Sequence, residues 1–215
     1  MGADDDRRRM VEAQLRARGI RDERVLDAMA EIPRERFIDV DQQRRAYADE
    51  AVPIAAGQTI SQPWVVAKMT ELLAAQPGER ILELGTGSGY QAAILGLLGA
   101  AVVSIERQPE LANLARERLA RLGLGGAIEV RVGDGSVGEA SGAPWDGIIV
   151  TAAAPSIPTP LREQLSPDGG RLVIPVGDRH RQDLLLVTRR GNDWIEKNDG
   201  PCVFVPLVGA EGFPG

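Results

Sequence analysis

The stretch that most limits the fold is "RILELGTGSGY", Arg80 to Tyr90, where a short apolar run passes directly into three alternating glycines, Gly85, Gly87 and Gly89. With "QPG" on one side and glycine on the other, the run reads as a buried strand, and "YQAAILGLLG" reads as a helix ending at Gly99. The unit then repeats. "AVVSIE" is a second strand and "PELANLARERLARLG" a second helix, with Pro109 in its first turn and Gly123 past its end. "AIEVRVGD" and "DGIIVTAA" supply two more strands, "TPLREQL" a short helix, and "RLVIPVG", after the turn "SPDGG", a fifth strand. This alternation predicts an α/β fold, a mostly parallel Rossmann-like sheet with helices on both faces.

On either side of that core the pattern changes. Ahead of it, Met10, Val11 and Leu15 share one face before Gly19, and Val25, Leu26 and Met29 share another after Asp22, a candidate cap; Pro33 ends the run. Short amphipathic helices of this kind cannot bury themselves and are expected to form an N-terminal extension packed on the larger core. After the core, "DLLLVTRR", "GNDWIEKN" and "CVFVPL" read as strands joined by polar turns, an antiparallel finish to the sheet. With 215 residues, 43% of them apolar, the chain suits one domain, 1–215, in which 1–78 holds the helices and a candidate active-site loop and 79–215 the sheet core.

Composition removes several function classes. The net charge is −6 and the Lys and Arg residues are scattered, so there is no basic footprint and no nucleic-acid partner is expected. A lone cysteine, Cys202, excludes an internal disulfide, and with His180 as the sole histidine no Cys/His or two-His metal site can be assembled; no metal is expected. No window approaches the roughly 18 apolar residues of a membrane helix, and "MGADDDRRRM" lacks a secretory apolar region. Asp6 stands where a myristoylation motif has Ser or Thr. A soluble, cytoplasmic monomer with no membrane partner is the expectation. His180, in "GDRHRQD", reads as a solvated turn residue, and Cys202, with no basic neighbour, as a small apolar filler.

The glycines allow the backbone to turn tightly and to approach a ligand, and the helix after them offers N–H groups to polar atoms. A dinucleotide fingerprint is G-x-G-x-x-G, whereas the third glycine here comes one residue early, and no Gly-Lys-Ser/Thr of a P-loop is present. Glu83, just ahead of the loop, would repel phosphate and favour an ammonium or sulfonium group. Together these point to S-adenosyl-L-methionine. Glu106 closes the second strand, placed to accept from ribose hydroxyls, and Asp134, in "GDG" after the third, to accept from an adenine amino group. The candidate cofactor set is Glu83, Gly85, Thr86, Gly87, Ser88, Glu106, Arg107, Asp134 and Gly135. Acids also end strands as plain turn residues, and each alone is weak evidence.

The motifs "GQTISQP", "MTELL", "ILELGTGSGY", "IER", "GDG", "IIVTAAAP", "PVG" and "FVPL", in this order from about Gln14 to Leu207, resemble the protein-L-isoaspartate O-methyltransferases. The glycine loop alone would indicate only S-adenosylmethionine-dependent enzymes; "GQTISQP" and "FVPL" are far more specific. The resemblance implies a seven-stranded methyltransferase sheet with its last two strands exchanged relative to most such enzymes. It also implies methylation of the free α-carboxylate of L-isoaspartyl residues in damaged proteins and peptides, its partners. By motif, Ser61 matches the family's active-site serine and Thr59 the threonine beside it. Ala55 and Ala56 depart from a glycine-containing pair found in many members, and Val203 stands where several have arginine. Read without the family, Thr59 caps a turn and Ser61 caps the helix after Pro63. Three other functions stay open from the residues: a methyltransferase of the same fold acting on a small molecule, a non-catalytic cofactor-binding module, and an NAD-dependent dehydrogenase. "CVFVPL" is either the last sheet strand or a wall for the substrate.

Overall fold

A computed structural model of the chain describes residues 2–215. Helix α1 (Ala3–Arg9) continues through a π-helical turn to Leu15 and a 3-10 turn to Arg18, and Gly19, at φ 95°, stops it. Helix α2 (Glu23–Glu31) starts where the Asp22 side chain accepts from Arg24 N and ends before Pro33. The apolar faces expected in this region are buried: Met10, Val11, Leu15, Val25, Leu26 and Met29 all lie in the core. The segment expected as a loop contains a small antiparallel pair, β1 (Val52–Pro53) with β2 (Thr59–Ile60), closed by Ile54 N donating to Gln58 O. Helix α3 (Pro63–Leu73) follows, with proline in its first turn.

The main sheet takes strands β3 (Arg80–Leu84), β4 (Ala101–Glu106), β5 (Ile128–Val132), β6 (Gly147–Val150), β7 (Asp168–Gly177), β8 (Gln182–Arg190) and β9 (Asp193–Cys202). Their spatial order is β5-β4-β3-β6-β7-β8-β9, parallel from β5 to β7 and antiparallel from β7 to β9. The last three strands follow one another as a meander, the exchanged order that the resemblance implies. Helices α4 (Tyr90–Leu97), α5 (Pro109–Arg121) and α6 (Thr159–Glu163) connect the parallel strands.

Strand alternation divides the buried side chains between two cores. Ile81, Ile149 and Val173 join the larger one with α2, α3, α4 and the N-terminal turns, while Leu82, Leu84, Ile148, Val150, Leu172 and Ile174 join the other, beneath α6 and Trp145. One expectation fails here. "CVFVPL" is not a strand of the sheet: β9 is built from "DWIEKNDGPC", and residues 203–205 run on without regular structure before Pro206 bridges Ala153. Once β9 ends, the chain turns over the carboxyl ends of the strands instead of pairing along them.

Candidate active site

All parallel strands point their carboxyl ends to one rim, and the order reverses beside β3, which leads to β4 on one side and pairs with β6 on the other. The glycine loop sits at that point. Gly85, Gly87 and Gly89 all have positive φ, at 97°, 52° and 89°. At Gly85 the constraint is doubled, because a Cβ there would lie 2.5 Å from Thr151 Oγ1. Thr151, at the end of β6, donates to Gly85 O at 2.5 Å and fixes the bend. It is a site residue that sequence reasoning passed over, although a hydroxyl ending the strand beside the glycine strand is a visible signal.

One cavity lies over this bend. Its walls include Gly57 to Ser61, Gly85 to Ser88, Glu106 to Gln108, Gly135, Thr151 and Val205 to Val208. Of the eleven residues named from sequence, it brings together Thr59, Ser61, Gly85, Thr86, Gly87, Ser88, Glu106, Arg107 and Gly135. Glu106 Oε2 accepts from Gly87 N at 2.8 Å and Oε1 from Gln108 N at 2.9 Å, so the carboxylate is oriented by two backbone donors while remaining on the wall.

Glu83 and Asp134 stand outside that wall. Leu82 and Leu84 face the smaller core, so Glu83 faces the opposite side with Ile81, fully buried. Its Oε2 accepts from Ser104 Oγ, which is 2.5 Å from Thr86 Oγ1, so a hydroxyl chain links the buried acid to the loop. Burial pushes its pKa up to about 8, the Ser104 hydrogen bond working against that rise and the Glu106 charge adding to it. Burial thus favours the neutral form of Glu83, which is joined to the loop through Ser104 and is not a charge lining the cavity. Asp134 accepts from Ser136 N and Oγ and, through its other oxygen, from Ala210 N, which ties the C-terminal segment down over the rim. Burial works against its ionised form, yet those donors outweigh it and hold the carboxyl below its ordinary range.

A second, open groove continues from the first. Thr59, Ser61, Thr151 and Val205 line both, and the groove runs on past Arg18, Trp64, Lys68, Asp199 and Cys202 to Phe204. Irregular "CVFVPL" is thus a wall of the groove. Its cations are matched: Arg18 pairs with Asp49 at 2.8 Å and lies over the Trp64 ring, and Lys68 pairs with Asp199 at 2.9 Å. Helix α3 starts without a side-chain cap, so Ser61 does not serve as one. Burial pushes the Cys202 thiol up to about 11, which keeps it protonated at neutral pH, and exposed His180 lies in the β7–β8 turn outside both cavities.

Comparison with known proteins decides the family. The family model for protein-L-isoaspartate(D-aspartate) O-methyltransferase matches residues 6–212. The chain belongs to that family. Among similar curated proteins, the protein-L-isoaspartate O-methyltransferase of Methanoculleus marisnigri is 56% identical over 211 residues, 98% of this chain and 94% of that one. That of Methylorubrum populi is 53% identical over 213 residues, 99% of each chain. A solved protein-L-isoaspartate O-methyltransferase superposes with TM-score 0.84 at 27% identity, covering 95% of this chain and 67% of the other. A second, described as a putative protein-L-isoaspartate O-methyltransferase from Plasmodium falciparum in complex with S-adenosyl-L-homocysteine, gives 0.81 at 25% identity, covering 94% and 98%. Family members use S-adenosyl-L-methionine, and the cavity fits it: the loop is opened by glycines, carries no lysine for phosphate, and has an oriented carboxylate, Glu106, on its wall.

Proposed function

We propose that this chain is a protein-repair methyltransferase that esterifies the free α-carboxylate of L-isoaspartyl residues in damaged proteins and peptides, with S-adenosyl-L-methionine as methyl donor. One observation carries the reading: Thr59 and Ser61 stand where the glycine-loop cavity opens into the groove, so donor and acceptor sites meet at two hydroxyls.

The Gly85–Gly89 loop, Glu106 and Gly135 are the residues that would hold the donor, with Thr86, Ser88 and Arg107 around it and Asp134 bracing the Gly135 turn from behind. When bound, the donor supplies a methyl group activated by its sulfonium. The chain's own task is alignment. A carboxylate with an ordinary pKa of about 4 is already ionised at neutral pH, so no residue has to remove a proton. Ser61 donates to one carboxylate oxygen and turns the other toward the methyl group, while Thr59 shapes the same loop. Alignment in a water-poor site contributes up to about 7–11 kcal/mol to such a step.

The ester then reacts without the enzyme. The next backbone nitrogen attacks the ester carbonyl, methanol leaves, and hydrolysis of the resulting succinimide returns part of the material to normal aspartyl linkage. A groove open along one side suits a flexible damaged segment of another protein. No described helix is long and apolar enough to cross a membrane. A cytoplasmic setting and action as a monomer complete the proposal.

The test is release of S-adenosyl-L-homocysteine with an isoaspartyl peptide, its normal aspartyl isomer and small carboxylic acids as separate acceptors. Turnover confined to the isoaspartyl peptide supports the reading. Turnover on a small acid alone makes the chain a small-molecule methyltransferase, and binding of the donor without turnover makes it a non-catalytic module.

A further inference from the structure

Arg34 is fully buried in the turn Arg34–Phe37, and among the described residues no carboxylate pairs with it. Its Nε donates to Ala46 O at 2.7 Å and Nη2 to Ser61 O at 2.7 Å, while Nη1 has no hydrogen-bond partner. Ala46 and Ser61 bracket β1, the Ala55–Gly57 turn and β2, so one guanidinium ties both ends of the loop that carries Thr59 to the core. Beneath it lies the ring of Tyr90, 4.9 Å from the guanidinium carbon, itself held edge-on by Phe37 at 5.4 Å. Tyr90 also lines the donor cavity. Burial pulls the Arg34 pKa down to about 10, so it remains a cation at neutral pH.

A buried charge without a carboxylate partner is costly, and departures of this kind concentrate at functional sites. The cations that line the groove, Arg18 and Lys68, have carboxylate partners, whereas Arg34 lies behind the loop and lines neither cavity. We propose that Arg34 is a positioning residue for the methyl acceptor: by holding the Ser61 carbonyl it fixes the backbone that aims the Ser61 hydroxyl at the arriving carboxylate. This role rests on the esterification reading above.

The test compares the wild type with R34M and R34K in three measurements: kcat and KM for an isoaspartyl peptide, inhibition by the same peptide with its α-carboxylate capped as a neutral amide, and calorimetric affinity for S-adenosyl-L-homocysteine. R34M is expected to lose about a hundredfold in kcat/KM for the acid, with amide inhibition and S-adenosyl-L-homocysteine affinity changed by less than about threefold. R34K, which keeps the charge, is expected to recover about tenfold of that loss. An R34M kcat/KM within about threefold of wild type overturns the role, as does an equal weakening of acid, amide and S-adenosyl-L-homocysteine, the mark of a merely structural residue. If R34M does not fold, R34K decides: a lower kcat at unchanged S-adenosyl-L-homocysteine affinity supports the role, and an unchanged kcat overturns it. A wild-type protein that forms no ester overturns the reaction and the role together, whereas the variant results bear on Arg34 alone.

Discussion

Two side chains whose chemistry is simple in water behave differently once placed. The Ser61 hydroxyl makes no hydrogen bond to a base among the described residues, and on this account needs none, because it donates to an acceptor that is already ionised. S61A should therefore lower kcat/KM for an isoaspartyl peptide by about a hundredfold while S-adenosyl-L-homocysteine affinity stays unchanged by calorimetry. A matching loss of that affinity would contradict the role. Glu83 offers a pH test. Below an unfolded-state pKa of 4.5 both states hold the proton; as pH rises toward about 8 the unfolded chain releases it while the folded chain keeps it. Stability from this group is thus present at acid pH and is lost through that window. In E83Q the loss disappears, so the melting temperature of the variant minus that of the wild type should rise steadily from pH 5 to pH 8; a constant difference would place the folded pKa elsewhere.

At the scale of elements, the parallel strands and their helices were legible because each carries its own local signal: apolar runs, Pro109 at a helix start, and Gly99 and Gly123, both with positive φ, past helix ends. Contacts between distant segments were not legible. Neither Arg34 reaching Ser61 across 27 positions nor Thr151 reaching Gly85 across 66 leaves a mark in either local sequence. "CVFVPL" misled because apolar alternation describes a groove wall as well as a strand, and the burial of Glu83 was not legible because the period of two that turns Leu82 and Leu84 to one core turns it into the other. One element carries a correctable strain. Helix α3 ends at Ala74 in the left-handed region, φ 52°, a conformation that glycine adopts without the Cβ penalty. A74G should stabilise the protein by about 0.5–1 kcal/mol, seen as a melting-temperature rise of about 2–4 °C at most, with activity unchanged. A lower melting temperature would show that lost chain entropy outweighs the relief.

Across the whole molecule, the topology brings the glycine loop of the sheet and the Thr59 and Ser61 hydroxyls of the N-terminal segment to one rim, although they come from separate parts of the chain. The C-terminal segment closes the same rim through Ala210 and Asp134. The larger core, shared by α2, α3, α4 and one face of the sheet, keeps these parts in register. The most direct test of that arrangement is mass spectrometry of a peptide pair, isoaspartyl and aspartyl isomers of one sequence, after incubation with the enzyme and S-adenosyl-L-methionine. The account predicts one methyl group on the isoaspartyl peptide alone, removed by mild base as an ester at its free α-carboxylate. Equal methylation of both isomers, or a methyl group that resists base, would contradict it.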